Sequence, residues 1–220
     1  MTKAKKNPAA PKRRSPAEAG GKVRRDSLPT RTAEGMVRIV SGRFKRTPLA
    51  VAGREGLRPT PSRVRETLFD WLRHFLGDFS RASFLDMFAG SGALGLEAAS
   101  NGAGRTVLLE KDAKSSAGIR AVIDKLGVSQ SVRCETADTF AWLDRTDEMF
   151  DVVFIDPPFA LSLHERAVRA VLPHLRPEGF VYLENEAELD DAFLSGLGLE
   201  AVRRGRAGAV HYALCTRAIV

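Results

Sequence analysis

Apolar residues follow two different periods along this 220-residue chain, and the alternation of the two predicts strands separated by helices. Short apolar runs predict strands near 83–88, 105–110, 131–136, 151–155 and 179–184. Helical spacing predicts helices near 92–101, 113–126, 138–145, 161–175 and 187–196. Such alternation predicts an α/β fold with a mostly parallel sheet and helices on both faces. Two further strand-like segments near 199–206 and 210–219 predict a closing hairpin with an antiparallel edge strand.

The front of the chain has a different composition from the rest. Residues 1–35 mix Lys, Arg, Pro, Ala and Gly, which predicts a disordered basic tail. Residues 36–40 alternate like a strand and residues 44–51 can pair with them, so 36–61 is a predicted hairpin extension of the α/β core at 62–220. A helix is expected to begin near Ser62, whose hydroxyl can cap it. Its predicted buried face comprises Val64, Leu68, Phe69, Leu72, Phe75 and Leu76.

Charge is distributed unevenly along the chain. Residues 1–46 contain 14 basic and 3 acidic residues, a net charge of +11, which leaves −4 for the rest of a chain whose total is +7. This asymmetry favours a polyanionic partner, most simply nucleic acid, although a merely solubilising tail has the same composition. The candidate contacts to nucleic acid are Arg38, Arg43, Lys45, Arg46, Arg63 and Arg65.

Several classes of protein are disfavoured by what the sequence contains. The apolar runs are too short for a membrane span, and the N-terminus lacks the apolar core of a secretory signal. A transit peptide stays open, because the first 35 residues are basic and poor in acids. Cys134 and Cys215 fall in strand-like stretches without ligand spacing, so we expect buried thiols, a reducing cytoplasm and no metal site.

A glycine-rich loop follows the first core strand. Gly90, Gly92 and Gly95 match GxGxxG, and Glu110 lies twenty residues after Gly90, at the end of the second strand. This arrangement binds a nucleoside cofactor and fits either NAD or S-adenosylmethionine, since both have ribose hydroxyls for a carboxylate to bind. The candidate cofactor-binding residues are Asp86, Phe88, Ala89, Gly90, Ser91, Gly92, Glu110, Lys111, Asp138, Thr139 and Asp156.

Two carboxylates favour S-adenosylmethionine over NAD. Asp86 lies where it can accept a hydrogen bond from the cofactor's ammonium, whereas it would repel a pyrophosphate. Asp138 is placed to meet an adenine amino group. Both residues also have a purely structural interpretation, Asp86 as a cap of the loop and Asp138 as the N-cap of the next helix.

The stretch Asp156-Pro157-Pro158-Phe159 follows the fourth core strand and has no obvious role in hydride transfer. Two prolines cannot continue a central strand, so the chain leaves the sheet in a stiff turn at the edge where ligands bind. The turn presents a carboxylate, backbone carbonyls and an aromatic ring. These groups suit methylation of an exocyclic amine, because acceptors can hold an –NH2 group while the ring stacks on a flat base.

The glycine loop and Asp156-Pro-Pro-Phe together resemble class I S-adenosylmethionine-dependent methyltransferases with a Rossmann-like fold and a seven-stranded sheet. The segments Arg38-Ile-Val-Ser-Gly, Leu57-Arg-Pro-Thr and Arg63-Val-Arg-Glu-Thr-Leu-Phe narrow the resemblance to the RsmD family, over roughly residues 36–218. This resemblance implies methylation of N2 of one guanine, usually numbered 966, in bacterial 16S rRNA. It also implies a cytoplasmic, monomeric enzyme that acts on rRNA in a small ribosomal subunit or assembly intermediate.

The resemblance implies roles for the residues of the turn. Asp156 and the Pro157 carbonyl would hold the amine, Pro158 would stiffen the turn, and Phe159 would stack on the base. Three alternatives remain at this point. They are an adenine-N6 methyltransferase acting on DNA or RNA, an NAD-dependent oxidoreductase, and a non-catalytic ribosome-assembly factor on the same fold.

Overall fold

A computed structural model describes residues 1–2, 36–50, 60–158 and 163–218. The predicted disordered tail therefore falls almost wholly outside the described residues, as do the Leu57-Arg58-Pro59 segment and Phe159. The strands are β1 (Met36–Arg38), β2 (Pro48–Ala50), β3 (Ser83–Asp86), β4 (Arg105–Glu110), β5 (Val132–Thr136), β6 (Phe150–Ile155), β7 (Leu175–Asn185), β8 (Leu199–Ala207) and β9 (Val210–Arg217). The helices are α1 (Ser62–Leu76), α2 (Ala93–Ser100), α3 (Ala113–Leu126), α4 (Thr139–Leu143), α5 (His164–Val171) and α6 (Asp191–Gly196).

Seven of the strands form one sheet in the order β5-β4-β3-β6-β7-β9-β8. The first five strands run parallel to one another. Strand β9 pairs antiparallel with β7, and β8 pairs antiparallel with β9. The predicted mostly parallel sheet with a closing antiparallel hairpin is confirmed. The chain adds β4 and β5 on one side of β3 and then returns to place β6 on its other side, so the strand order reverses between β3 and β6. Ligands bind at such a switch point in open α/β sheets.

Alternation along the strands gives the sheet two apolar faces. Phe84, Phe154 and Tyr182 lie on one face and pack with helix α1. Leu85, Val153 and Leu183 lie on the opposite face, in a second apolar cluster with residues of α4, α5 and α6. The prediction of helices on both faces is confirmed, and it follows from the period-two burial of otherwise continuous apolar strands.

The short N-terminal hairpin is confirmed, because β1 and β2 pair antiparallel with Met36 opposite Ala50. The prediction that the Ser62 hydroxyl caps the following helix is wrong. Ser62 is already the first residue of α1, and Pro61 holds the cap position without a side-chain cap hydrogen bond. On the predicted buried face, Val64, Leu68, Phe69 and Leu72 are buried, whereas Phe75 and Leu76 are partly exposed at the end of the helix.

The close approach of α2 to β4 depends on Gly95. A Cβ atom at this position would lie 2.6 Å from two carbon atoms of the Leu108 side chain, which is buried. We expect Gly95→Ala to lower the free energy of unfolding by about 1–3 kcal/mol, because the extra methyl overpacks a filled interface. Gly118→Ala in α3 is the matched control. It meets no atom within 4 Å, so it should leave stability unchanged or raise it by about 0.5–1 kcal/mol in the same denaturant titration.

Cys134 and Cys215 are free and buried, as predicted. Burial raises the pKa of each thiol to about 12. Across the described residues, His, Cys, Asp and Glu form no group of three that could hold a metal ion. The helices in the same part of the chain are all too short or too polar to cross a membrane.

Candidate active site

Carboxylates gather at one edge of the sheet, where neighbouring parallel strands end. Asp86 is the last residue of β3, Glu110 is the last residue of β4, and Asp156 directly follows β6. Asp138 follows β5 by two residues, and Glu184 lies near the end of β7. Because these strands are parallel, the fold brings together side chains that are up to 98 residues apart in the sequence.

The glycine loop is held by two of these carboxylates. Glu110 accepts hydrogen bonds from the backbone N–H of Gly90 at 2.8 Å and of Asp112 at 2.8 Å. Asp86 accepts one from the N–H of Gly95 at 3.0 Å, in the first turn of α2. Gly92 has a φ of 78°, a left-handed conformation that favours glycine, and it begins this helix. The structural interpretation of Asp86 as a cap of the loop is thus observed.

Asp138 and Thr139 begin helix α4 at the end of β5. Asp138 is the N-cap and accepts from the N–H groups of Phe140 at 3.0 Å and Ala141 at 3.1 Å, as its structural interpretation predicted. The adjoining Thr139 hydroxyl is buried and has no hydrogen-bond partner among the residues that the structure describes. An unpaired buried hydroxyl costs free energy, so a ligand that bonds it would stabilise the site.

The remaining predicted cofactor residues lie in the glycine loop or beside it. Ala89 is buried, while Phe88, Gly90 and Ser91 are partly exposed. The ring of Phe88 makes an edge contact with Phe140 at a centroid separation of 6.4 Å. The Lys111 side chain is exposed beyond the end of β4.

The Asp156 turn adjoins the glycine loop at the switch point of the sheet. Asp156 is partly exposed and accepts a hydrogen bond from the Thr60 hydroxyl at 3.1 Å. Pro157 is buried and Pro158 is exposed, as expected of a chain that turns out of the sheet. Removal from water, with the nearby Glu184 carboxylate, raises the pKa of the Asp156 carboxyl well above its usual value.

The residues at this edge fit S-adenosylmethionine, which is a net cation. Burial raises the pKa of the Asp86 carboxyl to about 7, so a cationic ligand beside it would stabilise its ionised form. Each oxygen of Glu110 accepts one backbone N–H, which leaves a lone pair on each for a ribose hydroxyl. The Thr139 hydroxyl offers a further unused group. A pyrophosphate would bring negative charge to the buried Asp86, so the same residues suit NAD poorly.

Two residues of the site were missed by the sequence analysis. Thr60 is 5% exposed and precedes α1, and Glu184 is 2% exposed at the end of β7. The Tyr182 hydroxyl donates to Glu184 at 2.7 Å. The available signal was positional: Glu184 ends an apolar strand that neighbours the strand of Asp156, so the two carboxylates had to meet.

Five of the six predicted nucleic-acid contacts are exposed, namely Arg38, Arg43, Lys45, Arg46 and Arg63. Four of these lie on β1 or in the connection to β2, and Arg63 lies in the first turn of α1. The Arg38 side chain donates to the Arg46 carbonyl at 3.2 Å, and the Arg43 guanidinium lies 4.3 Å from the centroid of the Phe44 ring. Their side chains can therefore reach a polyanion from one end of the protein.

Arg65 does not belong to this exposed set, so its predicted contact with nucleic acid is wrong. It is 2% exposed, because the period of α1 turns it inward between Val64 and Leu68. Its guanidinium donates to the carbonyls of Thr60 at 2.5 Å and Arg38 at 2.7 Å. Burial lowers the pKa of Arg65, while the Glu97 carboxylate at 3.7 Å favours its charged form.

Glu97 fixes the N-terminal hairpin to the core. Its carboxylate, fully buried in α2, accepts from the N–H of Val40 at 2.9 Å, the N–H of Ser41 at 2.6 Å and the Ser41 hydroxyl at 2.7 Å. Glu97 also forms a buried ion pair with Arg65 of α1, so α2 is bonded both to the hairpin and to α1. The exposed basic residues are therefore attached to the helix that follows the glycine loop.

The Conserved hypothetical protein 95 family model matches residues 37–216. The Haemophilus influenzae protein named "Ribosomal RNA small subunit methyltransferase D" is 36% identical over 166 residues, which are 73% of this chain and 84% of that protein. The Escherichia coli K12 protein of the same name is 36% identical over 162 residues, 73% of this chain and 80% of its own. The solved structure of Escherichia coli yhhF matches with a TM-score of 0.71 and 34% identity, covering 84% of this chain and 100% of the other.

Proposed function

Because the chain belongs to the Conserved hypothetical protein 95 family, the RsmD family, we propose that it methylates the N2 amine of one guanine, position 966, in 16S rRNA. It is an S-adenosylmethionine-dependent rRNA methyltransferase. The choice of guanine comes from the family, and the observation that carries methylation of an exocyclic amine is the position of the Asp156 carboxylate, beside the glycine loop at the switch point of the sheet. A carboxylate there can accept hydrogen bonds from an exocyclic amine.

The cofactor supplies an electrophilic methyl group when it is bound, and the protein's residues hold and orient it. Glu110 would accept from the ribose hydroxyls, Asp86 would bind the ammonium group, and Thr139 would offer its unpaired hydroxyl to the adenosine part. The backbone of Gly90 and Gly92 would lie against the same ligand. Catalysis of this kind is mostly positioning, because a correctly oriented pair of reactants avoids the entropy cost of encounter.

Asp156 addresses the weak nucleophilicity of the guanine amine, whose lone pair is delocalised into the ring. By accepting an N–H hydrogen bond, together with the Pro157 carbonyl, it would turn the lone pair toward the methyl group. The carboxylate would also stabilise the positive charge that develops on nitrogen. The target base must leave its stack to reach this edge, since a site at strand ends admits one base at a time.

The product nucleoside tests the proposal directly. Small ribosomal subunits that lack the modification are incubated with labelled S-adenosylmethionine and the protein, and the rRNA is digested and analysed by mass spectrometry. We expect N2-methylguanosine at one position. Detection of methyladenosine would instead identify adenine as the target base, because Asp156 can bind either amine. Absence of transfer to subunits, protein-free rRNA and DNA alike would refute the proposed activity.

The exposed basic residues of the hairpin are proposed to bind rRNA phosphates. The double variant with Arg43→Gln and Lys45→Gln removes two charges and should weaken rRNA binding. The slope of log K against log salt should fall by about 1–2, because a phosphate contact that is lost no longer releases counterions on binding. Arg145→Gln is the control, since this exposed arginine follows α4, whose residues pack in a different apolar cluster from those of the hairpin. An equal change of slope in the control would contradict the assignment.

A further inference from the structure

Asp156 and Glu184 occupy equivalent positions on adjacent parallel strands. The register of β6 and β7 pairs Phe154 with Tyr182 and Ile155 with Leu183, so Asp156 comes level with Glu184. Neighbouring strands lie about 4.8 Å apart, which brings the two carboxylates side by side. Arg65 favours the ionised form of Glu184, but its guanidinium is bonded to two carbonyls and paired with Glu97, so neither carboxylate has an ion pair of its own among the described residues.

The Thr60 hydroxyl joins the two carboxylates. It donates to Asp156 at 3.1 Å and lies close enough to Glu184 to favour its ionised form. A hydroxyl has one proton and can donate to one acceptor at a time, so the other carboxyl can bond the Thr60 oxygen only when it carries a proton itself. The Tyr182 hydroxyl donates to Glu184 from the other side, which makes Glu184 the more fully bonded member.

The charged and titratable groups around the pair come from every element packed against it. They are Asp86 on β3, Arg65 on α1, His164 on α5, Tyr182 on β7 and Tyr212 on β9. Burial raises the pKa of Glu184, and burial together with Glu184 raises that of Asp156. Two acids in this position titrate as a unit, because ionising one makes it harder to ionise the other.

We propose that Asp156 and Glu184 act as one proton-accepting pair, which holds no proton when the positively charged methyl donor is bound and holds one proton after methyl transfer. The inference rests on the proposed function. Asp156 meets the amine, so it is the catalytic residue. Glu184 acts through Asp156 and Thr60, so it is a positioning residue.

The charge balance of the reaction explains why a pair is useful. The nitrogen lone pair forms the new N–C bond, the electrons of the broken C–S bond stay on sulfur, and one N–H bond gives up its proton. The positive charge that arrived with the methyl group is thereby transferred to that proton. Accepting it keeps the net charge of this edge constant, and a second carboxylate beside the first raises the proton affinity of the pair above that of a single carboxylate.

Proton release on ligand binding tests the pair without methyl transfer. S-adenosylmethionine and S-adenosylhomocysteine differ only by the methyl group and its positive charge, so effects of the common ammonium on Asp86 cancel between them. Calorimetric titrations near neutral pH, in buffers of different ionisation enthalpy, give the number of protons released by each. We expect wild-type protein to release more protons with S-adenosylmethionine, because the added cation ionises the pair.

Glu184→Gln should reduce this difference to half or less, because Asp156 then ionises on its own at lower pH. Asp156→Asn should have the same effect and provides a second variant if one folds poorly. Tyr182→Phe is the control: it removes a hydrogen bond from Glu184 but keeps both carboxylates, so the difference should persist. Equal proton release by both ligands, or an unchanged difference in both variants, would refute the pair while leaving the proposed function intact. Failure of wild type to bind either ligand would refute both.

Discussion

Asp156→Ala is expected to lower the rate of methyl transfer at least about a hundredfold while cofactor binding persists. In the proposed function this carboxylate orients the attacking amine and stabilises its developing charge, and it directly follows β6 at the edge where the strands end. The variant should not be less stable than wild type, because it removes a charge whose burial already raises its pKa. Single-turnover transfer to small subunits, with a parallel calorimetric titration of the cofactor, measures both quantities.

Asp147→Ala is the matched control for this variant. Asp147 is exposed and precedes β6, so it lies at the opposite end of the same strand from Asp156. It should retain the wild-type rate. A rate for Asp156→Ala within a few-fold of this control would remove Asp156 from the mechanism.

Glu97→Ala is expected to be the most destabilising single substitution among those considered, at about 3–5 kcal/mol. It leaves the buried Arg65 guanidinium without its carboxylate and deprives the Val40 and Ser41 amides of their acceptor. Because these contacts attach the N-terminal hairpin, the variant should also lose affinity for rRNA. Chemical denaturation measures the first effect and a binding titration measures the second.

Glu165→Ala is the control that shows whether the loss of an exposed ion pair has the same effect on stability as Glu97→Ala. Glu165 pairs with Arg169 at 3.0 Å on the surface of α5, one helical turn apart. Exposed pairs of this kind contribute less than about 0.5 kcal/mol. Similar losses of stability in the two variants would mean that the Arg65–Glu97 pair does not hold the hairpin.

Most of the fold could be predicted because local pattern and tertiary structure agree. The apolar period alone placed 105–110 and 113–126 within the bounds that β4 and α3 have in the structure. The start of α1 at Ser62 was predicted correctly but its cap was not, because Pro61 takes the cap position and makes no side-chain cap hydrogen bond. β7 begins at Leu175, earlier than its apolar run, because its first residues pair with β6 across a shift of register.

The position of a carboxylate was predictable where it follows from the end of a strand and unpredictable where residues depend on one another. Asp86, Glu110 and Asp156 follow from strand ends and a glycine loop. Arg65 was assigned to the surface because a single arginine in a basic segment gives no sign of burial. The signal lay elsewhere in the sequence, in Glu97, a lone charge within the apolar helix sequence Ala93–Ser100. A charge buried there requires a partner, and only the folded chain identifies it.

The two buried thiols lie in different layers of the molecule. Cys134 belongs to the apolar cluster beneath α2 and α3, whereas Cys215 belongs to the cluster beneath α4, α5 and α6. A thiol with a pKa near 12 is almost wholly protonated at neutral pH, and alkylating reagents react with the thiolate. Each cysteine consequently becomes reactive only when its own layer opens. The protein thus carries two native labels that distinguish loosening of the cofactor-loop side from loosening of the opposite side, with no residue added.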